Sequence, residues 1–167
     1  MKKPSLRILT ASAMFAALIF AATCFIKIPL PVGYVHAGDG LVFLAAAFLP
    51  LPYAIAASAI GMGLCDLVLG YTLWIPATVL TRVIATLIFS RKGKTCSLHN
   101  VIAALVSVLI ITAGYWAYEA IFYYHSAVGA LAGVPLNLAQ SALGAAIFIA
   151  VAKFADKMGA TKKLERH

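Results

Sequence analysis

The sequence predicts an all-α integral membrane protein: a single domain over residues 1–167, six transmembrane helices, both termini cytoplasmic. Three observations carry that reading. Of the 167 residues, 63% are hydrophobic and 11% charged, with mean hydropathy +0.99. Soluble domains run near ~45–50% apolar and ~25% charged, so a water-soluble fold of this size could not hide the surplus. Runs such as 11–25 and 101–112 are apolar on every face, whereas a barrel strand alternates apolar and polar over roughly ten residues. Helices satisfy their own backbone groups in hydrocarbon, so they are the spanning elements. The third observation is the lopsided placement of basic residues about the spans.

The first helix is expected over 6–27. Lys2, Lys3 and Arg7 precede an apolar run over 8–26, too long for a signal-peptide core of roughly 7–15 residues. Thr23 also spoils the faint lipoprotein box ending at Cys24. Pro29 and Pro31 stop this helix, and a second is expected over 38–49, opened by Gly38-Asp39-Gly40, with Asp39 a candidate cap. Pro50 and Pro52 make a tight connection to a third over 52–70, closed by Gly70. Pro76 suits the first turn of a fourth over 76–90. Arg91-Lys92-Gly93-Lys94 reads as a solvated loop, followed by a fifth helix over 98–124 and a sixth over 134–154, opened by Gly133 and Pro135. The second and fourth are shorter than the ~17–25 residues of an ordinary span.

Six spans place Lys2, Lys3, Arg7, Arg91, Lys92, Lys94, Lys153, Lys157, Lys162, Lys163 and Arg166 on one side and Lys27 alone on the other, with Arg82 inside a span. The rich side is cytoplasmic by the positive-inside rule. The net charge of +8 is therefore a topology signal, and no nucleic-acid partner is expected. Cys24, Cys65 and Cys96 form no closely spaced pair, so they read as buried thiols rather than a disulfide framework or metal site. No metal or cofactor is expected.

Ionisable groups inside a span cost at least ~2.5–3.5 kcal/mol each on insertion scales, so they mark sites or partners. Here they are Asp39, Asp66, Arg82 and Glu119, joined by Asn137 and Gln140. Counting at about 1.5 Å per residue puts Asp66 roughly 6 Å and Arg82 roughly 9 Å below the external ends of their helices. All six fall in the outer half, which predicts a polar cavity open to the exterior and closed toward the cytoplasm. Similar depth on consecutive antiparallel helices suggests a structural ion pair between Asp66 and Arg82. Glu119, with no cation left over, is the first candidate for solute contact. Asn137 and Gln140 share a helical face, and Tyr115, four residues before Glu119, is the candidate for stacking. Trp116, Asp39, Tyr34, His36 and Arg82 complete the candidate substrate-binding set. Glu119→Gln should weaken binding without unfolding, and Asp66→Asn should lower thermal stability.

Small residues recur at four-residue spacing: Ala13, Ala17 and Ala21 in the first helix, Ala57 and Gly61, with Ala59 and Gly63, in the third. Such stripes allow close helix approach, within the bundle or against a partner.

The stretch from Gly38 to Ala46, with the segment from Ala57 to Tyr71 that ends Asp66-Leu67-Val68-Leu69-Gly70-Tyr71, resembles the substrate-binding S components of energy-coupling factor (ECF) importers, over nearly the whole chain. That resemblance implies an S-component-like bundle in a prokaryotic plasma membrane. It also implies capture of a micronutrient at the outer face, and docking on a membrane coupling protein driven by a pair of cytoplasmic ATPases. Ala13, Ala17, Ala21, Ala57 and Gly61 are similar to the family's docking surface. Arg82 stands where the family often has lysine. The chain has no Gly-x-x-x-x-Gly-Lys-Ser/Thr loop, so ATP hydrolysis belongs to partners and no enzyme activity is expected. The relatives it looks most like are those assigned to queuosine or queuine, a 7-deazapurine; thiamine, pyridoxine and riboflavin S components are alternatives. A stand-alone transporter driven by protons through Asp66 or Glu119 is the rival class.

Overall fold

In the computed structural model, which describes residues 5–29 and 34–159, six α-helices account for most of the chain. Lys2, Lys3, Pro31, Lys162, Lys163 and Arg166 lie outside the described residues. Helix α1 (Leu6–Phe25) starts where the Ser5 hydroxyl accepts from the Ile8 amide. It is followed by two short antiparallel strands, β1 (Lys27–Pro29) and β2 (Tyr34–His36), paired Lys27 to His36 and Pro29 to Tyr34. The sequence predicts no element between the first two helices. Strand pairing satisfies the backbone groups of the two strands within the segment itself.

Helices α2 (Gly38–Phe48), α3 (Leu51–Val68), α4 (Ile75–Leu87), α5 (Leu98–Phe122) and α6 (Val134–Lys157) follow, each within a few residues of its expected bounds. Short 3-10 turns at Thr72–Trp74 and Gly129–Gly133 lead into α4 and α6. Four helical segments are long and apolar enough to cross a membrane: Leu6–Phe25, Leu51–Val68, Leu98–Phe122 and Gly129–Lys157. Helices α2 and α4 have only 11 and 13 residues. Leu9, Met14, Leu18, Leu64, Leu67, Leu105 and Leu109 are exposed, which is the surface that lipid, not water, solvates.

Helix α2 is the axis of the bundle. Nearly all of it is buried, and it packs against α1, α3, α4 and α6. Its small residues make that possible. A Cβ on Gly40 would come within 2.7 Å of Ile147, and one on Gly144 within 2.6 Å of the Asp39 Cβ, so α2 and α6 cross at near backbone contact. The α1–α3 crossing has the same basis, since a Cβ on Gly61 would reach 2.8 Å from the Ala16 carbonyl and Ile19.

The small-residue stripes therefore divide. Ala57 is buried and Gly61 is packed on α1, while Ala13 and Ala17 are exposed and Ala21 half-buried. Ala57 and Gly61 consequently cannot present a docking face, which corrects that part of the expected surface. The cysteine reading is also corrected. Cys24 and Cys65 form a disulfide between α1 and α3, leaving Cys96 free. Their separation of 41 residues hid from the sequence what helix packing brings together.

Below the polar layer, Phe43 stacks on Phe89 at 5.4 Å, and both meet Phe148 edge-on. Deeper still, the Asn100 side chain donates to the carbonyls of Ser90 and Thr95 and accepts from the Ser90 amide. Asp156 accepts from the amides of Thr95 and Cys96, and Arg91 donates to the Leu49 carbonyl. This end of the bundle is closed by packing and by side chains that satisfy loop backbone. The opposite end, beside the hairpin, is open.

Candidate functional site

The polar layer resolves into two strata. The deeper one is centred on Arg82 and Asp39, both fully buried. Arg82 donates through Nε and Nη2 to Asp39 Oδ1 at 3.1 and 2.9 Å, and through Nη2 to Oδ2 at 3.2 Å. Its Nη1 donates to Thr81 Oγ1 at 3.1 Å, and the Tyr115 ring lies 5.0 Å from the guanidinium carbon. Gln140 donates to Asp39 Oδ2 at 3.2 Å and accepts from the His36 amide at 3.3 Å, tying the hairpin to the pair. The His36 Nδ1 accepts from the Gly38 amide at 3.2 Å, at the start of α2. Burial pushes the His36 imidazole down to about 4, with Arg82 adding to the effect and Asp39 opposing it. It is neutral at physiological pH.

The ion pair is thus Asp39–Arg82, which corrects the expected Asp66–Arg82 pair. Depth along consecutive helices suggested Asp66, but α2 is central and puts Asp39 against α4. Asp39 is a buried counter-ion rather than a simple cap, and neither Asp39 nor Arg82 reaches the cavity wall.

The upper stratum is a cavity of about 220 Å³. Tyr34 and His36 of β2 form one side, with Asp66 at the end of α3. Tyr71 and Trp74 contribute from the turn before α4. Tyr115, Glu119 and Tyr124 come from α5, and Gly133, Asn137 and Gln140 from the start of α6. Asp66 is held by hydroxyls: Tyr34 donates to Oδ1 at 2.6 Å and Thr78 to Oδ2 at 2.5 Å. Thr78 in turn lies 2.6 Å from the Tyr115 hydroxyl. Burial, and then the adjacent Asp66 carboxylate, raise the pKa of Tyr34 far above the ordinary phenol value, so its proton stays available to donate. Glu119 is 7% exposed, and Trp74 Nε1 donates to its Oε1 at 3.3 Å. Gly133 makes room for that carboxylate, since a Cβ there would sit 2.6 Å from Glu119 Oε2. The Asn137 side-chain amide faces the cavity without a hydrogen bond among the described residues.

Of the sequence candidates, Glu119, Asn137, Gln140, Tyr115, Tyr34 and His36 therefore meet in one cavity. Trp116 does not: its indole donates to the Ala127 carbonyl at 3.1 Å, away from the lining. Residues 116 and 119 are near neighbours on a helix, yet Trp116 turns off the inward face that Tyr115 and Glu119 share. Tyr71, Trp74 and Tyr124 also line the cavity and are not among the residues expected from sequence. The close spacing of Asp66, Gly70, Tyr71 and Trp74 was the available signal. Tyr34 and Tyr71 lie 5.0 Å apart, Tyr71 and Trp74 5.9 Å, and together they make a wall of aromatic faces between the two carboxylates.

A helical membrane bundle with a sealed end and a polar, aromatic cavity at the other is built to hold a solute. A search of curated proteins finds no match. The family described as ECF-type riboflavin transporter, S component, matches residues 3–157, nearly the whole chain. S components bind small molecules and work with a coupling protein and ATPases, and this chain belongs to that family of ECF transporter S components.

Proposed function

We propose that this S component captures a compact, flat nitrogen heterocycle of the queuine type, a 7-deazapurine, at the hairpin end. That end faces the exterior, and the termini lie in the cytoplasm. The observation that supports this most is the chemistry of the lining: two carboxylates among aromatic faces, an uncommitted amide, and a histidine held neutral. A guanine-like edge presents adjacent N–H donors to Glu119 and ring faces to the tyrosines and Trp74. Anionic solutes such as phosphate esters find no cation in the wall.

Riboflavin is the second reading, because it is the substrate in the family's description. Size argues against it. The cavity, about 220 Å³, is below the ~300–1,000 Å³ typical of drug-sized ligand sites, which favours the smaller solute, a two-ring base with its side chain, over a three-ring flavin with a polyol tail. Thiamine and pyridoxine are smaller and remain comparators.

Calorimetry on the purified protein with queuine and riboflavin tests the proposal. Queuine should bind at micromolar concentration or below, and Glu119→Gln should weaken it by about 10- to 100-fold, the worth of a hydrogen bond to a charged group, without loss of thermal stability. Tight riboflavin binding with no queuine signal overturns the reading. Unchanged affinity in Glu119→Gln removes Glu119 from the site.

A further inference from the structure

A buried carboxylate is stable when a cation or several hydrogen bonds compensate it. Among the described residues, neither acid of the cavity makes an ion pair; the nearest charges are Arg82, committed to Asp39 beneath it, and Lys27, whose ammonium lies 5.4 Å from the centre of the Tyr34 ring. Asp66, 5% exposed, accepts from two neutral hydroxyls, Tyr34 and Thr78. Glu119 accepts one indole N–H at Oε1, and its Oε2 has no donor among the described residues. An ion pair commits Arg82 to Asp39, beneath the cavity. His36, the one basic side chain in the lining, is neutral. The lining residues therefore include two acidic groups and no lysine or arginine.

We infer that Asp66 is a second recognition site opposite Glu119, and that the ligand brings a protonated amine to it while its ring edge engages Glu119. The inference rests on the heterocycle-capture reading above and adds the charge of the solute. A carboxylate offers about four lone-pair positions, and Asp66 uses two on hydroxyls that fix its orientation. The others remain for an ammonium group. Asp66 comes from α3 and Glu119 from α5, so one solute carrying donors at both ends satisfies both acids at once. A queuine-type base has that form, with a guanine-like edge and a side-chain amine.

Matched pairs that differ in charge test this on the purified full chain. 7-Aminomethyl-7-deazaguanine is compared with neutral 7-cyano-7-deazaguanine, and pyridoxamine with pyridoxine, by calorimetry at neutral pH, with riboflavin alongside. In the scaffold that binds, the amine should bind at least about tenfold tighter, the size of one charge-assisted hydrogen bond. Asp66→Asn should bring that ratio toward one, and Tyr34→Phe should reduce it. Glu119→Gln should weaken both members of a pair together. If Asp66→Asn does not fold, the wild-type ratio and Tyr34→Phe decide. Preference confined to the pyridine pair overturns the deazapurine reading and leaves the Asp66 site standing. The Asp66 inference is overturned if neutral members bind as well as amines or only riboflavin binds. It is overturned equally if Asp66→Asn keeps the preference, or if no probe binds at millimolar concentration.

Discussion

Arg82 shows how a single residue divides structure from recognition. Its guanidinium is fully buried, forked onto Asp39 and covered by the Tyr115 ring, so its charge serves the fold and leaves the cavity acidic. Removing one partner of such a pair leaves an uncompensated charge, at a cost of about 3–5 kcal/mol. Asp39→Ala should therefore lower the melting temperature sharply in detergent, whereas Glu119→Gln should not; equal melting of Asp39→Ala and wild type would show the pair to be dispensable. His36 supplies a pH dependence at the same scale. Its folded-state value of about 4 lies below the ordinary 6.5, so the unfolded chain takes up the proton first. Stability contributed by neutral His36 is present above pH 6.5 and is lost as pH falls from 6.5 toward 4. Thermal melts at pH 7 and pH 5 should show a drop that is smaller in His36→Gln.

Among elements, the α1–α3 contact depends on a missing side chain. Gly61 lies against the Ala16 carbonyl and Ile19, whereas a Cβ on Gly63 would meet Val79 at an ordinary 3.5 Å. Gly61→Leu should destabilise by at least about 1–3 kcal/mol through overpacking, while Gly63→Ala should stay within about 0.5 kcal/mol of wild type. Melting curves of the two variants check this, and similar behaviour would contradict the asymmetry. The hairpin teaches a different lesson. Strands of three residues carry too little periodicity to read from sequence, yet they position Tyr34 and His36. Every helix, by contrast, was legible, because proline, glycine and long apolar runs mark ends and spans without reference to partners.

For the whole molecule, the question is which face meets the coupling protein. Ala57 is buried and Gly61 lies against α1, so Ala13 and Ala17, exposed on α1, and the half-buried Ala21 are the remaining small residues of the expected surface. Ala17→Trp should leave solute binding unchanged while abolishing uptake in cells that express the coupling protein and ATPases. Uptake that survives this change, or that persists without the ATPases and collapses with a protonophore, would favour transport by the chain alone.

Composition and punctuation by themselves determined that lipid is the solvent, that the chain is helical, where the helices begin and end, and that acids and amides gather at one depth. Those properties are local, or sums over the chain. The partner of Arg82, the Cys24–Cys65 link, the turning away of Trp116 and the arrival of Asp66 and Trp74 at the cavity were decided only by tertiary structure. Each depends on which helix stands beside which. That follows from α2 taking the centre of the bundle, where Gly40 and Gly144 let backbones meet, a property of pairs of surfaces that no single stretch of sequence contains.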